Sequence, residues 1–294
     1  MMPKPTPANW LSIIALGFIW GGTFMIVTLA LRGYGPVTVA TARTVLGAAM
    51  LLALARMTRS TWPQPTRRLC LYLLVIGLLS TALPFFLLSW GQQSVPSAFA
   101  GLCMAAVPLF LVPLAHVFVP GELMSLRKAA GFGLGFLGVV VLIGADAFTG
   151  DVPALPRLAC VGAALCYAVS SITVRLCPPI DPVVLGSLSL VIGSTALVPV
   201  MLTVEGVPQF AFDTPTIAII VLGLVPTALA TLIRVQVIRT AGPSFLTLVN
   251  YQVPLWSAVF GLVVLKESLS PRFFAALVLI LAGLAISQWR RRRH

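Results

Sequence analysis

Ten apolar stretches, each of a length that crosses a lipid bilayer, follow one another along this 294-residue chain with only short connectors between them. Spanning ~30 Å of hydrocarbon takes about 20 mostly apolar residues. Such runs are predicted at Trp10 to Leu31, Val37 to Leu54, Leu69 to Trp90, Ser97 to Val119, Ala129 to Gly144, Leu158 to Leu176, Val183 to Val204, Ile217 to Ile238, Ser244 to Leu265 and Phe274 to Gln288. With 59% of residues hydrophobic and 9% charged, a single water-soluble core would leave large apolar patches bare, so the solvent is lipid. The expected fold class is an all-α polytopic membrane protein.

The formal charge of +12 is placed at helix ends and not on a basic face interleaved with aromatics, so no nucleic-acid partner is expected. Lys and Arg in short loops stay in the cytoplasm. An N-terminus inside puts Lys4, Arg56, Arg59, Arg67, Arg68, Arg127, Lys128, Arg175, Arg239 and the basic tail 290–294, with Arg290 to Arg293, on that side. Only Arg32, Arg157, Lys266 and Arg272 fall opposite, and ten spans then return the C-terminus to the cytoplasm. The first run is too long for the h-region of a signal peptide. The five cysteines form no C-x-x-C pair and lie in or beside apolar segments, which indicates neither a disulfide framework nor a zinc site. No cofactor is expected.

Laid on itself, the chain repeats. Gly77-Leu78-x-x-Thr81-Ala82-Leu83 matches Gly223-Leu224-x-x-Thr227-Ala228-Leu229, and the register carries Pro108-Leu109 onto Pro254-Leu255. After a one-residue shift Glu122 falls on Glu267 and Gly138 on Gly283; upstream, Pro36 and Gly47 match Pro182 and Gly193, and Trp20 falls opposite Tyr167. Matches in this order divide the chain into repeat 1 at 10–147 and repeat 2 at 157–289. Five spans per unit is an odd number, so the second unit enters the membrane upside down. Secondary transporters use such inverted repeats to expose a central site to either side, with interrupted helices at corresponding positions marking the site. Pro108 and Pro254 are the expected interruptions and gating positions.

These residues resemble the ten-helix EamA branch of the drug/metabolite transporter superfamily: Trp20-Gly21-Gly22 in the first span, Arg43 in the second, Pro108 through Gly121-Glu122 in the fourth, and Pro254 through Lys266-Glu267 in the ninth. The resemblance covers essentially the whole chain. It implies ten helices around a central cavity, cytoplasmic termini, a bacterial inner membrane, and export of small metabolites. Within the family the chain looks most like the YddG-type exporters of aromatic and other amino acids.

A polar face within an apolar helix points to a cavity, because a side chain facing lipid has nothing to hydrogen-bond. The ninth span carries Ser244, Thr247, Asn250 and Tyr251; the eighth carries Thr227, Thr231 and Arg234; the third carries Thr81 and Phe85. Trp20, and Tyr167 with Ser171, add aromatic and hydroxyl groups from the leading helix of each half. Such a lining suits an amphipathic zwitterion, with rings to stack on and hydroxyls to meet its polar end. Each of these has a plainer reading: Ser and Thr bond their own helix, and aromatics fill gaps. Arg43 and Arg234 lie within spans, where a cation is costly, yet each is close enough to a boundary to snorkel. His116 reads as a packing histidine or, less simply, as a proton relay.

No Asp or Glu falls at the middle of a span, so facilitated diffusion is expected over proton coupling. Two rivals stay open. A sugar-phosphate or nucleotide-sugar exchanger needs several converging cations, and only Arg43 and Arg234 offer themselves. An intramembrane lipid-modifying enzyme needs a catalytic set, and no His/Asp/Glu cluster has the spacing for one. The expected partners are a small-molecule substrate and the bilayer. Gly17-x-x-x-Gly21 and Gly131-x-x-x-Gly135 read as close helix contacts. Gly133-x-Gly135-x-x-Gly138 with Asp151 imitates a dinucleotide fingerprint without its strand-turn-helix setting.

Overall fold

The computed structural model describes residues 5–144 and 154–288, apart from the side chains of residues 243 and 244. Its helices are α1 (Pro7–Ala30), α2 (Pro36–Met57), α3 (Arg67–Gly91), α4 (Ser97–Phe118), α5 (Leu126–Ile143), α6 (Ala154–Leu176), α7 (Pro182–Val204), α8 (Thr214–Ala241), α9 (Val249–Val263, preceded by the short turn Pro243–Leu246) and α10 (Pro271–Gln288). Among the described residues nine helices are long and apolar enough to cross a membrane. The tenth, α9, falls short because Thr247 and Leu248 interrupt it. Lys4, Asp146, Asp151 and the tail at 290–294 lie outside the described residues, as do the last residues of the expected repeats.

Several helices begin about a turn before their apolar run. The side chains of Thr6, Ser125 and Asp213 accept hydrogen bonds from the backbone N–H of Asn9, Lys128 and Thr216. A capped polar turn at the headgroup level is helical without being hydrophobic, which is why apolarity alone places these starts too late.

The repeated Gly-Leu-x-x-Thr-Ala-Leu motif builds the same irregularity twice. Residues Leu78–Ala82 of α3 and Gly223–Leu229 of α8 are π-helical. Thr81 Oγ1 donates to the Gly77 carbonyl (2.6 Å) and Thr227 Oγ1 to that of Leu222 (2.8 Å), so each hydroxyl takes up an acceptor that the widened turn releases. Each bulge is received by a glycine of the other half: a Cβ on Gly193 would strike Thr81, and one on Gly47 would strike Thr227. Gly47 and Gly193 are themselves repeat mates, so the contact is a pseudo-symmetric pair across the centre.

The expected interruptions at Pro108 and Pro254 need correcting in position. In α4 the break is at Ala105 and Ala106, where N–H groups reach back only three residues, and Pro108 opens the helical segment that follows. In α9 the tightened turns run from Leu248 to Tyr251, and Pro254 lies inside the helix beyond them. A proline ring crowds the carbonyl four residues earlier, so the irregularity appears upstream of the proline. The two breaks meet at one pair of repeat mates, since the Ala105 N–H reaches back to Leu102 and the Tyr251 N–H to Leu248; from there the tightening runs on to Ala106 in α4 and back to Leu248 in α9.

The small-residue spacings are backbone contacts. A Cβ on Gly17 would lie 2.7 Å from Gln252, and one on Gly21 would strike Trp256, so α1 lies directly on α9. Around Gly131, Gly135 and Gly283, α5 and α10 touch backbone to backbone. The glycine fingerprint at 133–138 is part of the continuous α5, with none of the strand-turn-helix geometry that a dinucleotide needs.

Candidate functional site

A cavity of about 540 Å³ opens between eight helices. Every helix except α5 and α10 contributes to its lining. Of the residues expected to meet a substrate, Trp20, Thr81, Phe85, Tyr167, Ser171, Thr231 and Asn250 line it, together with Arg43 and Arg234. Thr247 and Tyr251 do not, and the side chain of Ser244 lies outside the described ones. The expected polar face of α9 is thus represented by Asn250, joined by the apolar Val253 one turn on. The tightened turns before Tyr251 rotate Thr247 out of the register that a regular helix would give it.

The lining repeats as the sequence does. Trp20 and Tyr167, Thr23 and Ser170, Thr81 and Thr227, and Val107 and Val253 are repeat mates, and all eight line the cavity. Chemistry breaks this symmetry at Arg43 with Ser189, at Phe85 with Thr231, at Leu88 with Arg234, and at Met104 with Asn250. The α7 residues Ser189 and Gly186 were missed by reading apolar spans one at a time. The match of Arg43 with Ser189 would have found the first of them.

The hydroxyls share an orientation. Thr23, Ser171, Ser189 and Thr231 each donate to a carbonyl one turn back on their own helix, at 3.0, 2.8, 2.7 and 2.6 Å. With its hydrogen committed, such a hydroxyl offers only lone pairs to a neighbour. The Trp20 indole donates to the Pro226 carbonyl in the bulge of α8 (3.3 Å), tying the first half to the second.

Arg43 is 8% exposed. Its Nε donates to Thr227 Oγ1 (3.0 Å), and its guanidinium carbon stands 3.8 Å from the Phe85 ring centroid. It faces inward and does not snorkel. Arg234 also lines the cavity. Among the described residues the lining contains no Asp, Glu, His, Cys or Lys. His116 lies outside it, where Nδ1 accepts from the Met124 N–H (3.2 Å) in the α4–α5 connector.

The cavity reaches one end of the bundle and not the other. Val174, Leu185, Gly186, Val235 and Ile238 extend the lining toward the ends of α6, α7 and α8 near Leu176, Pro182 and Ala241. Their repeat mates Val27, Val39, Ala40, Ser89 and Gln92 are all buried, none more than 6% exposed. That closed end is held by two carboxylates of the second half. Glu205 accepts from the N–H groups of Val37 (2.9 Å) and Thr38 (2.8 Å) at the start of α2, and Glu267 from those of Ser97 (2.7 Å) and Ala98 (3.2 Å) at the start of α4. Gly35 and Gly261 make the room, since a Cβ on either would strike the carboxylate. At the open end Glu122, the mate of Glu267, meets Arg175 (2.8 Å) and Lys128 (3.3 Å) instead. The hydrogen bond from Arg175, with that from Lys128, holds its carboxyl below the usual range.

Ten helices in two halves around a central polar chamber define a membrane carrier of the inverted-repeat class. The chain belongs to the EamA-like transporter family, which matches residues 9–144 and 156–288. It is similar to the uncharacterized transporter YvbV of Bacillus subtilis, 25% identical across 97% of this chain and 92% of that one. It is likewise similar to the uncharacterized inner membrane transporter YedA of Escherichia coli K12, 24% identical across 94% and 89%. A probable terminal-alkyne amino-acid exporter of Streptantibioticus cattleyicolor is 29% identical over 47% of this chain and 46% of its own. A crystal structure shares the fold at TM-score 0.67, with 19% identity over 96% of this chain and 97% of that one.

Proposed function

We propose that this protein exports small amphipathic metabolites, with amino acids including aromatic ones as the leading class, in the manner of the YddG-type exporters. The observation that carries the proposal is the cavity itself: aromatic faces at Trp20, Tyr167 and Phe85, guanidinium donors, and hydroxyls that present acceptors, all at the junction of two pseudo-symmetric halves. A ring stacks on the aromatics while the polar end meets the arginines and hydroxyls. The amino-acid exporter among the relatives supports the same class.

The charge pattern supports a bacterial inner-membrane location with both termini in the cytoplasm, and YedA is an inner membrane protein by name. In that orientation the open end faces the cytoplasm, ready to load cargo for export. Rocking of repeat 1 (10–147) against repeat 2 (157–289) carries the site to the other side. Among the described residues the lining offers no carboxylate to carry a proton, so transport runs as facilitated diffusion down the substrate gradient.

Counterflow in proteoliposomes is the direct test. Labelled phenylalanine or tryptophan exchanges while sugar phosphates do not, and flux persists without an imposed proton gradient. Exchange of sugar phosphates alone would hand the site to the rival reading, which asks for more converging cations than the two arginines among the described lining residues supply. Turnover of a lipid substrate in detergent would point to an enzyme. In the same assay Trp20→Ala lowers amino-acid flux by about tenfold or more, since it removes both a stacking face and the tie to Pro226. Tyr251→Ala, outside the lining, costs much less.

Accessibility tests the alternation. In a background without native cysteines, Gly186→Cys and Ile238→Cys react with a membrane-impermeant maleimide from the cytoplasmic side. Val39→Cys and Gln92→Cys are silent from the outside at rest and become reactive as substrate cycles the protein. Gln92 already shows the tension of a group built for another state, because its buried Nε2 has no partner among the described residues. Equal reactivity at both ends throughout would refute the rocking scheme.

A further inference from the structure

Among the described residues the chamber is lined by two permanent positive charges and no negative one. A guanidinium stays protonated at any physiological pH, and desolvated charge without a counter-charge is costly in a membrane interior. Neither Arg43 nor Arg234 has an acidic partner among the described residues. For the buried Arg43 the balance must therefore come from the cavity's water or from the cargo, whereas Arg234 is exposed toward the open end.

Arg43 has the geometry of a prepared anion receptor. Thr227 holds its Nε and the Phe85 ring covers one face of its plane. These contacts fix the guanidinium in orientation and leave its Nη groups without a partner among the described residues. That terminal edge is the one that pairs with carboxylates in two parallel hydrogen bonds. Resting on the transport reading above, we propose that Arg43 anchors the carboxylate of the cargo, so that a carboxylate is the obligatory recognition group. Arg234, two turns beyond Thr227 toward the open end of α8, receives that carboxylate on its way in. An ammonium group, where the cargo has one, is met by the hydroxyl lone pairs of Ser171, Ser189 and Thr231. Hydroxyls of this kind also tolerate its absence, so amphipathic acids without an amine enter the same class.

Binding to the purified protein in lipid nanodiscs distinguishes these groups with four probes that share one ring: phenylalanine, 3-phenylpropanoate, phenylalanine amide and phenethylamine. Both carboxylates bind at least about tenfold more tightly than the amide and the amine, the scale set by a charge-assisted hydrogen bond. Arg43→Gln removes that margin by weakening the carboxylates and leaving the amide unchanged, and Arg43→Lys restores part of it. Should Arg43→Gln not fold, the native preference and a smaller loss in Arg234→Gln decide the matter. A native protein that binds the amide or the amine as well as the acids would overturn the proposal, as would Arg43→Gln weakening all four probes alike, or no binding by any of them. Carboxylate-selective binding without flux would sink the transport reading and leave the anchor standing. Flux without carboxylate preference would do the reverse.

Discussion

Gly283→Leu abolishes recovery of folded protein, whereas Gly133→Leu, on the facing helix α5, leaves it intact. A Cβ at Gly283 would stand 2.5 Å from the Gly135 nitrogen and 2.6 Å from the Gly131 carbonyl oxygen, so the obstacle is backbone, which cannot rotate aside as a side chain can. Relief requires α5 and α10 to separate along their length. Overpacking in a side-chain core costs about 1–3 kcal/mol; a backbone clash between helices that associate through close van der Waals fit, with no hydrophobic drive in lipid, lies at or beyond the top of that range. Gly133 has nothing within 4 Å of its would-be Cβ. Size-exclusion profiles of detergent-extracted fusions to a fluorescent protein report the outcome. Equal monodisperse peaks for the two variants would show that α5 and α10 are not packed as described.

Joint replacement of Glu205 and Glu267 by alanine opens the closed end, raising outside labelling at Gln92→Cys by about tenfold. Each carboxylate accepts two backbone N–H bonds at a helix start, where the orphan donors and the helix dipole both favour an anion. Losing such contacts costs about 1–3 kcal/mol when the donors are buried. The two carboxylates are half-buried, so the lower figure applies to each, and about 1.4 kcal/mol in total already shifts a two-state population tenfold. Both latches belong to the second half and grip helices of the first, so their loss acts on the rocking equilibrium as well as on local order. The open end lacks an equivalent: Arg59 stands where the mate of Glu205 would be, and Glu122 is engaged by Arg175 and Lys128. Unchanged labelling in a folded double variant would mean that other contacts hold this end shut.

The apolar spans were legible in the chain because lipid imposes one length and one polarity on every crossing segment, and ten runs met that condition before any packing was known. The motif at Gly77 and its copy at Gly223 disclosed the halves, since a π-bulge and the glycine that receives it constrain letters as well as coordinates. The rotation of α9 was not legible: Tyr251 and Thr247 follow helical spacing from Ser244, and the tightened turns before Pro254 turn them off the cavity. Glu205 and Glu267 read as loop acids, because the groups they cap, at Val37 and Ser97, lie far away in sequence.

Local chemistry therefore settled what each segment is, a lipid-crossing helix in one of two inverted sets, because the free energy of placing residues in hydrocarbon sums along the chain. Which of those residues meet in water at the centre, and which end of the passage stands open, only the packed helices decided. Contacts such as Arg43 with Thr227 and Glu267 with Ser97 join positions that no span contains together, and their energy exists only once the two halves have closed around one chamber.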